Sequence, residues 1–147
     1  MCVFKTTNQE ETMLLGKKLG KSLPSGSTLL LYGDLGAGKT TLVRGIAKGL
    51  NIKDVIQSPT FNIMKIYFKG DRPLVHIDAY RLSDIDTDIG LDEYIGIENG
   101  ITVIEWPMFI QKLLPDNAII VNIDYSNESE RTIKIDGLDE QTMEKIK

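Results

Sequence analysis

The chain has 147 residues, of which 41% are hydrophobic and 26% are charged, and this composition predicts one globular domain over residues 1–147. The net charge of −4 and the scattered lysines and arginines argue against a dedicated nucleic-acid-binding protein, so we expect any nucleic acid to be held by a partner. Cys2 is the only cysteine, and no apolar stretch is typical of a signal peptide or membrane span, so we expect a cytoplasmic protein without disulfides.

The first third of the chain predicts two helices separated by a buried strand. Thr7 and Glu10 have the spacing of a capping box, and leucines then recur every four residues up to Pro24, which indicates an amphipathic helix. Residues 28–32 form a continuously apolar run, typical of a strand buried on both faces. A glycine-rich loop follows, and the apolar positions from Leu42 to Leu50 predict the second helix.

The rest of the chain has mainly the pattern of strands. Short helical pieces are expected within residues 83–98 and 108–114, and a polar tail ends the chain. The predicted strands cover residues 62–68, 74–78 and 101–105, followed by a hairpin of residues 118–125 and 131–138. Together these elements predict an α/β fold with a mostly parallel central sheet and antiparallel additions.

The loop between the first strand and the second helix matches the phosphate-binding P-loop (Walker A) pattern. It reads Gly33-Asp34-Leu35-Gly36-Ala37-Gly38-Lys39-Thr40, and a strand before it and a helix after it are the context that the pattern requires. Its glycines let backbone N–H groups close around phosphate oxygens, and the helix N-terminus adds partial positive charge. Lys39 would neutralise the β- and γ-phosphates, and the Thr40 hydroxyl would bind Mg²⁺. We therefore predict a three-layer fold of the P-loop NTPase type that binds ATP with Mg²⁺.

Two acidic residues at strand ends are candidates for positioning the metal or a water molecule. Asp78 and Glu105 each end an apolar strand, and ligands of open α/β sheets bind at the carboxyl ends of strands. The sequence leaves open which of them binds the metal directly. His76 shares a strand face with Asp78, and a hydrogen-bonded structural role is favoured over catalysis. Trp106 fits either core packing or a position beside the nucleotide.

Taken in order, these motifs resemble the TsaE family (formerly YjeE), bacterial P-loop ATPases of tRNA threonylcarbamoyladenosine biosynthesis. The resemblance extends from about Asn8 to Leu138. It departs at Ala79, where a bulky apolar residue is usual, and is loose between Ser83 and Gly100. The matching segments are Gly33–Thr41, Ser58–Phe61, His76–Leu82 and Glu105–Pro107.

The resemblance implies a weak, partner-dependent ATPase that acts with homologues of TsaB and TsaD. The TsaD partner would transfer the threonylcarbamoyl group to an adenosine of tRNA, so that this chain reaches tRNA only indirectly. The catalytic residues implied are Asp78, Lys39 and Thr60, with Thr60 sensing the γ-phosphate, and Thr40 and Glu105 would hold Mg²⁺. The nucleotide contacts implied are Gln9, Asp34, Leu35, Gly36, Ala37, Gly38, Lys39, Thr40, Thr41, Trp106 and Arg131.

Three other functions were compared with this one. A small GTPase-like switch would fit Thr60, but the Asn-Lys-x-Asp sequence that reads guanine is absent. A small-molecule kinase would need several clustered arginines in a lid, and the four arginines of the chain are dispersed. A nucleotide-gated assembly factor, in which hydrolysis is incidental, stays open beside the ATPase.

Overall fold

The computed structural model describes residues 1–34, 36–57, 59, 63–80, 82 and 90–147. Three α-helices lie within these residues, and two 3₁₀ segments cover Leu91–Glu93 and Pro107–Leu113. None of the helices in these ranges is long and apolar enough to cross a membrane. The elements are β1 (Cys2–Thr6), α1 (Gln9–Ser22), β2 (Thr28–Tyr32), α2 (Lys39–Gly49), β3 (Met64–Tyr67), β4 (Leu74–Asp78), β5 (Ile101–Glu105), β6 (Ile119–Tyr125), β7 (Arg131–Asp136) and α3 (Glu140–Ile146).

The described strands form one sheet in the order β1-β7-β6-β2-β5-β4-β3. The central strands β6, β2, β5 and β4 are parallel to their neighbours in this group, whereas β3, β7 and β1 add to it in antiparallel orientation. The central strands β2 and β5 are buried along nearly their whole length, as their continuous apolar sequences require. This arrangement confirms the predicted α/β fold with parallel strands at its centre.

Two apolar clusters lie on opposite faces of the sheet. On one face, α1 and α2 pack their leucines and isoleucines against Leu29 and Leu31 of β2. On the other face, Leu30 packs with Val75, Ile104 and the apolar residues of the two 3₁₀ segments. Side chains alternate across a strand, so three consecutive leucines of β2 supply both layers.

Helices α1 and α2 run parallel and approach each other closely through glycines. A Cβ on Gly16 would collide with the carbonyl oxygen of Leu42, and a Cβ on Gly45 would collide with that of Met13. Gly20 and Gly49 repeat this relation one turn further on. The helices can lie this close only because these positions carry no side chain. As a result, both helices begin at the same end of the molecule.

Both chain ends differ from the sequence-based expectation. Residues 2–6 form β1, an edge strand paired with β7, and the predicted polar tail contains α3, which contacts α1. Helix α1 is capped by Asn8, whose side chain accepts from Glu11 N–H at 2.8 Å. The predicted capping box of Thr7 with Glu10 is therefore wrong by one residue: the N-cap is Asn8, and its partner is Glu11. The Glu11 carboxylate accepts from Thr7 N–H.

The other boundaries differ less. Strand β3 begins at Met64, whereas the prediction began at Asn62, a residue outside the described ranges. The helix predicted at residues 108–114 is the 3₁₀ segment Pro107–Leu113, interrupted at Ile110. Of the predicted helical pieces in residues 83–98, Leu91–Glu93 is present, and residues 83–89 lie outside the described ranges.

Replacing Gly45 with alanine tests the close approach of α1 and α2. The new Cβ would overlap the backbone of Met13, so we expect the free energy of unfolding to fall by about 1–3 kcal/mol, as for other overpacked interiors. Chemical denaturation with circular dichroism measures it. Leu14→Ala, at a position of α1 that is 52% exposed, is the control and should change stability by less than about 0.5 kcal/mol. Equal stability of Gly45→Ala and the parent would contradict the proposed contact.

Candidate functional site

A cleft of about 700 Å³ opens at the carboxyl ends of the central parallel strands. Strands β2, β5 and β4 are consecutive neighbours in the sheet, and the glycine loop, Glu105 and Asp78 stand at their respective ends. Asp78 and Glu105 are directly paired in register. This is the edge at which open α/β sheets bind ligands.

Two left-handed glycines shape the loop that leads from β2 into α2. Gly36 has φ +81° and Gly38 has φ +106°, a region that residues with a Cβ rarely adopt. Ala37 N–H donates to Asp34 O at 3.0 Å and closes a tight turn. Lys39 then begins α2 directly, with Gly38 as its N-cap.

The N-termini of two helices meet at this cleft. Gln9 and Thr12 of α1 line one side, and Lys39, Thr40 and Thr41 of α2 line another. Each helix N-terminus presents unpaired N–H groups and a partial positive charge. Because α1 and α2 are parallel, their partial charges add at the same opening, which favours an anionic ligand.

The ammonium group of Lys39 is buried inside the cleft without a hydrogen-bond partner among the described residues. Its Nζ lies 3.9 Å from the centre of the Trp106 ring, a cation–π contact. Burial lowers the pKa of Lys39, and the nearby carboxylates of Glu105, Asp78 and Asp34 oppose this effect. A buried cation with unused donors is costly unless an anion completes its environment. An anion with free hydrogen-bond acceptors would complete the environment of this ammonium group.

Glu105 is buried and is held by the only histidine of the chain. Its Oε2 lies 2.6 Å from His76 Nε2, and His76 is fully buried in β4. The structure confirms that His76 is hydrogen-bonded, as the sequence favoured. This contact fixes the orientation of the Glu105 carboxylate at the cleft wall, as groups behind a metal-binding side chain often do.

Asp78 stands at the mouth of the same cleft. Its Oδ1 accepts from Tyr80 N–H at 3.0 Å, which holds the carboxylate beside the turn that follows β4. No three His, Cys, Asp or Glu side chains of the described ranges are grouped so that they alone could hold a metal ion. A magnesium site here would need phosphate oxygens as well, which is the usual arrangement for this ion.

Trp106 belongs to an aromatic cluster at the rim of the cleft. Its ring centre lies 5.1 Å from that of Tyr80 and 6.4 Å from that of Phe109. Trp106 itself has φ +56°, an uncommon conformation for a bulky residue. This strained turn places the indole over Lys39, so the ring both lines the cleft and covers the ammonium group.

Arg131 reaches the glycine loop from the start of β7. Its Nε donates to Ala37 O at 2.8 Å, and Nη2 donates to Gly36 O at 3.3 Å. Nη1 donates to the carbonyl oxygens of Asn127 and Glu130. Four of its five N–H groups thus bind backbone carbonyl oxygens, and the side chain positions the glycine loop.

The structure brings most of the predicted site residues together. Asp34 and Ala37 form a turn within the glycine loop and do not line the cleft; Ala37 is buried. Leu35 and Thr60 lie outside the described residues. The predicted residues that line the cleft are Gln9, Gly36, Gly38, Lys39, Thr40, Thr41, Asp78, Glu105, Trp106 and Arg131.

Four further lining residues were not anticipated: Asn8, Thr12, Glu128 and Ser129. A correct reading of the α1 cap would have found Asn8, because an Asn three residues before Glu11 is a typical N-cap signal. Glu128 and Ser129 belong to the turn between β6 and β7, where Asn127 Oδ1 accepts from two N–H groups. No sequence signal linked this turn to the glycine loop.

Comparison with known proteins identifies the family. The family model described as "Threonylcarbamoyl adenosine biosynthesis protein TsaE" matches residues 6–133. The chain belongs to the TsaE family. Among other members, the tRNA threonylcarbamoyladenosine biosynthesis protein TsaE of Bacillus subtilis strain 168 is 42% identical over 130 residues, covering 88% of this chain and 82% of that protein. The protein of the same name from Nostoc sp. PCC 7120 is 43% identical over 132 residues, covering 87% and 81% respectively.

A solved structure supports the same assignment. The crystal structure of YdiB from Bacillus subtilis has a TM-score of 0.84 to this TsaE-family chain at 34% sequence identity. The match covers 99% of this chain and 93% of that one. This chain therefore has the fold of YdiB over nearly its whole length.

Replacing Lys39 with methionine tests whether the buried ammonium group lowers the stability of the ligand-free TsaE-family fold. Without any ligand, we expect Lys39→Met to raise the free energy of unfolding by about 1 kcal/mol, as is common when a strained functional site is relieved. The folded pKa of Lys39 lies below its value of 10.5 in the unfolded chain. Between these two values the unfolded chain binds more protons, so the stability of the parent rises with pH.

The advantage of Lys39→Met should therefore be largest near neutral pH and shrink as the pH rises towards 10.5. Urea denaturation over this pH range measures it, with the exposed Lys112→Met as control. A variant less stable than the parent at neutral pH would show that the ammonium is satisfied in the ligand-free protein.

Proposed function

We propose that this chain is a Mg²⁺-dependent ATPase subunit of tRNA threonylcarbamoyladenosine biosynthesis, acting in the cytoplasm as one ATPase domain. The observation that carries this proposal is the buried, unpartnered ammonium of Lys39 at the meeting point of two helix N-termini. A triphosphate would supply the hydrogen-bond acceptors that the Lys39 ammonium lacks among the described residues. The absent Asn-Lys-x-Asp sequence favours adenine over guanine.

Each residue of the cleft has a defined task in this proposal. The N–H groups of the glycine loop and Lys39 would bind the β- and γ-phosphates, as in other P-loop proteins. The Thr40 hydroxyl and the Glu105 carboxylate, oriented by His76, would hold Mg²⁺, while Asp78 would orient the attacking water. Magnesium would supply neutralisation of the charge that develops on the phosphate oxygens. Gln9, Thr41 and Trp106 would contact the nucleotide, and Thr60 would sense its γ-phosphate.

The hydrogen bonds of Arg131 favour slow hydrolysis by the chain alone. Arginine fingers stabilise the transition state of phosphoryl transfer with free N–H groups. Arg131 directs four of its five N–H groups to backbone carbonyl oxygens, so it is poorly placed to serve as one. We therefore propose that homologues of TsaB and TsaD complete the active complex, that TsaD performs the transfer, and that tRNA is bound within this assembly.

Alanine substitutions of Lys39 and of Thr40 test the ATPase proposal. Because each removes a group that stabilises charge at the γ-phosphate, we expect ATP hydrolysis in the presence of the TsaB and TsaD homologues to fall on the order of 10²-fold. Phosphate release measures the rate, and Lys112→Ala is the control. Unchanged turnover would contradict the site assignment.

A non-hydrolysable ATP analogue separates the ATPase from the assembly factor. If tRNA modification continues over repeated cycles with this analogue, the assembly-factor function is favoured.

Arg131→Lys tests the positioning of the glycine loop. A single ammonium cannot reach both Gly36 O and Ala37 O with the geometry of a guanidinium, so we expect ATP affinity to fall about tenfold, which corresponds to about 1.4 kcal/mol. Arg72→Lys is a matched control, because Arg72 donates to Leu23 O and Gly20 O away from the cleft. Calorimetric titration should show lowered ATP affinity for Arg131→Lys alone. Equal losses in the two variants would indicate a general loss of stability.

A further inference from the structure

A second concavity, here called the basic groove, lies on the outer surface of α1 and α2. Its volume is about 660 Å³, and it is lined by both helices and the segment that follows α2. It shares no lining residue with the cleft described above. Five basic side chains line it, and Asp54 is its one acidic residue; the basic ones are Lys17, Lys21, Arg44, Lys48 and Lys53.

Four of these side chains form two parallel rows. Lys17 and Lys21 are four residues apart on α1, and Arg44 and Lys48 are four residues apart on α2. Residues at this spacing lie on one face of a helix, separated by about 6 Å along its axis. Because the glycine contacts keep the helices parallel and close, the groove carries a regular array of positive charge.

This charge is not neutralised within the described part of the chain. None of the five side chains takes part in an ion pair there, and no acidic residue occurs three or four positions from any of the four helical ones. Like charges four residues apart destabilise a helix. The chain has a net charge of −4, yet it places five basic side chains in one groove. Their repulsion lowers the stability of α1 and α2.

The composition of the groove favours a nucleic acid over an acidic protein as its polyanionic partner. Protein interfaces are depleted in lysine and are centred on buried aromatic or apolar anchors, whereas this groove has four lysines and no aromatic residue. Lysine and arginine rows are typical of surfaces that follow a nucleic-acid backbone. The apolar side chain of Val55 also lines the groove and is 74% exposed, so ribose and base surfaces can pack on it.

We propose that the basic groove binds the phosphate backbone of RNA. The site goes beyond the proposed ATPase function, since it lies outside the nucleotide cleft. The basic residues are scattered along the sequence, but the fold brings five of them together.

Salt-dependent RNA binding by the full chain tests the proposal. Fluorescence anisotropy with a fluorescein-labelled oligouridine should show binding that weakens with salt, with a slope of log K against log salt of about −3.5 if five phosphates are neutralised. The double variant Lys17→Gln, Lys48→Gln should make this slope less negative by about 1.4, at about 0.7 per lost phosphate contact. ATP affinity, measured in parallel, should stay at the parental value.

The matched control is Lys5→Gln, Lys134→Gln, which removes two exposed lysines from β1 and β7 and should leave the slope unchanged. Equal slopes for the parent and the Lys17, Lys48 variant would overturn the proposal. The proposal would also be overturned if the Lys17, Lys48 variant bound RNA as the parent does but no longer associated with the TsaB and TsaD homologues. The groove would then be a protein interface. Either result leaves the ATPase proposal untouched, because that proposal depends on Lys39 and the cleft.

Discussion

The close parallel contact of α1 and α2 is the constraint on which the rest of this structure depends. It requires glycine at four positions, where any side chain would meet the backbone of the other helix. Because the helices are parallel, their N-termini meet at one cleft and their outer faces form one groove. A single packing relation therefore sets the position of both the anion-binding cleft and the basic surface.

Within the cleft, groups that are pre-formed for binding lower the stability of the ligand-free protein. Lys39 is buried against Trp106, which has a left-handed backbone conformation, and beside Glu105, which is itself buried. Each of these features costs free energy in the ligand-free protein. Such costs persist where the surrounding structure enforces them; here the pairing of β4 with β5 holds Glu105, and the glycine loop leads directly into Lys39 at the start of α2. The arrangement is the pre-organisation that binding of a highly charged anion requires.

The sequence predicted the centre of the molecule better than its margins. The strand–glycine loop–helix unit, the buried strands beside it and the places of Asp78 and Glu105 at strand ends were predicted correctly, because apolar runs and glycine spacing are local signals. Strand β1 was missed because a five-residue edge strand is stabilised by its pairing with β7, which is distant in sequence. The basic groove was missed for a related reason: charges separated by more than twenty residues become neighbours only when two helices pack.

Arg131 shows how a distant residue completes a local motif. The glycines of the loop permit many backbone conformations, and permissiveness alone does not select one. In a planar trans peptide the C=O and N–H groups point in opposite directions. The guanidinium donates to Ala37 O, so the N–H of Gly38 in the same peptide must point away from Arg131. A side chain 94 residues away thus selects the loop conformation that the glycine spacing only allows.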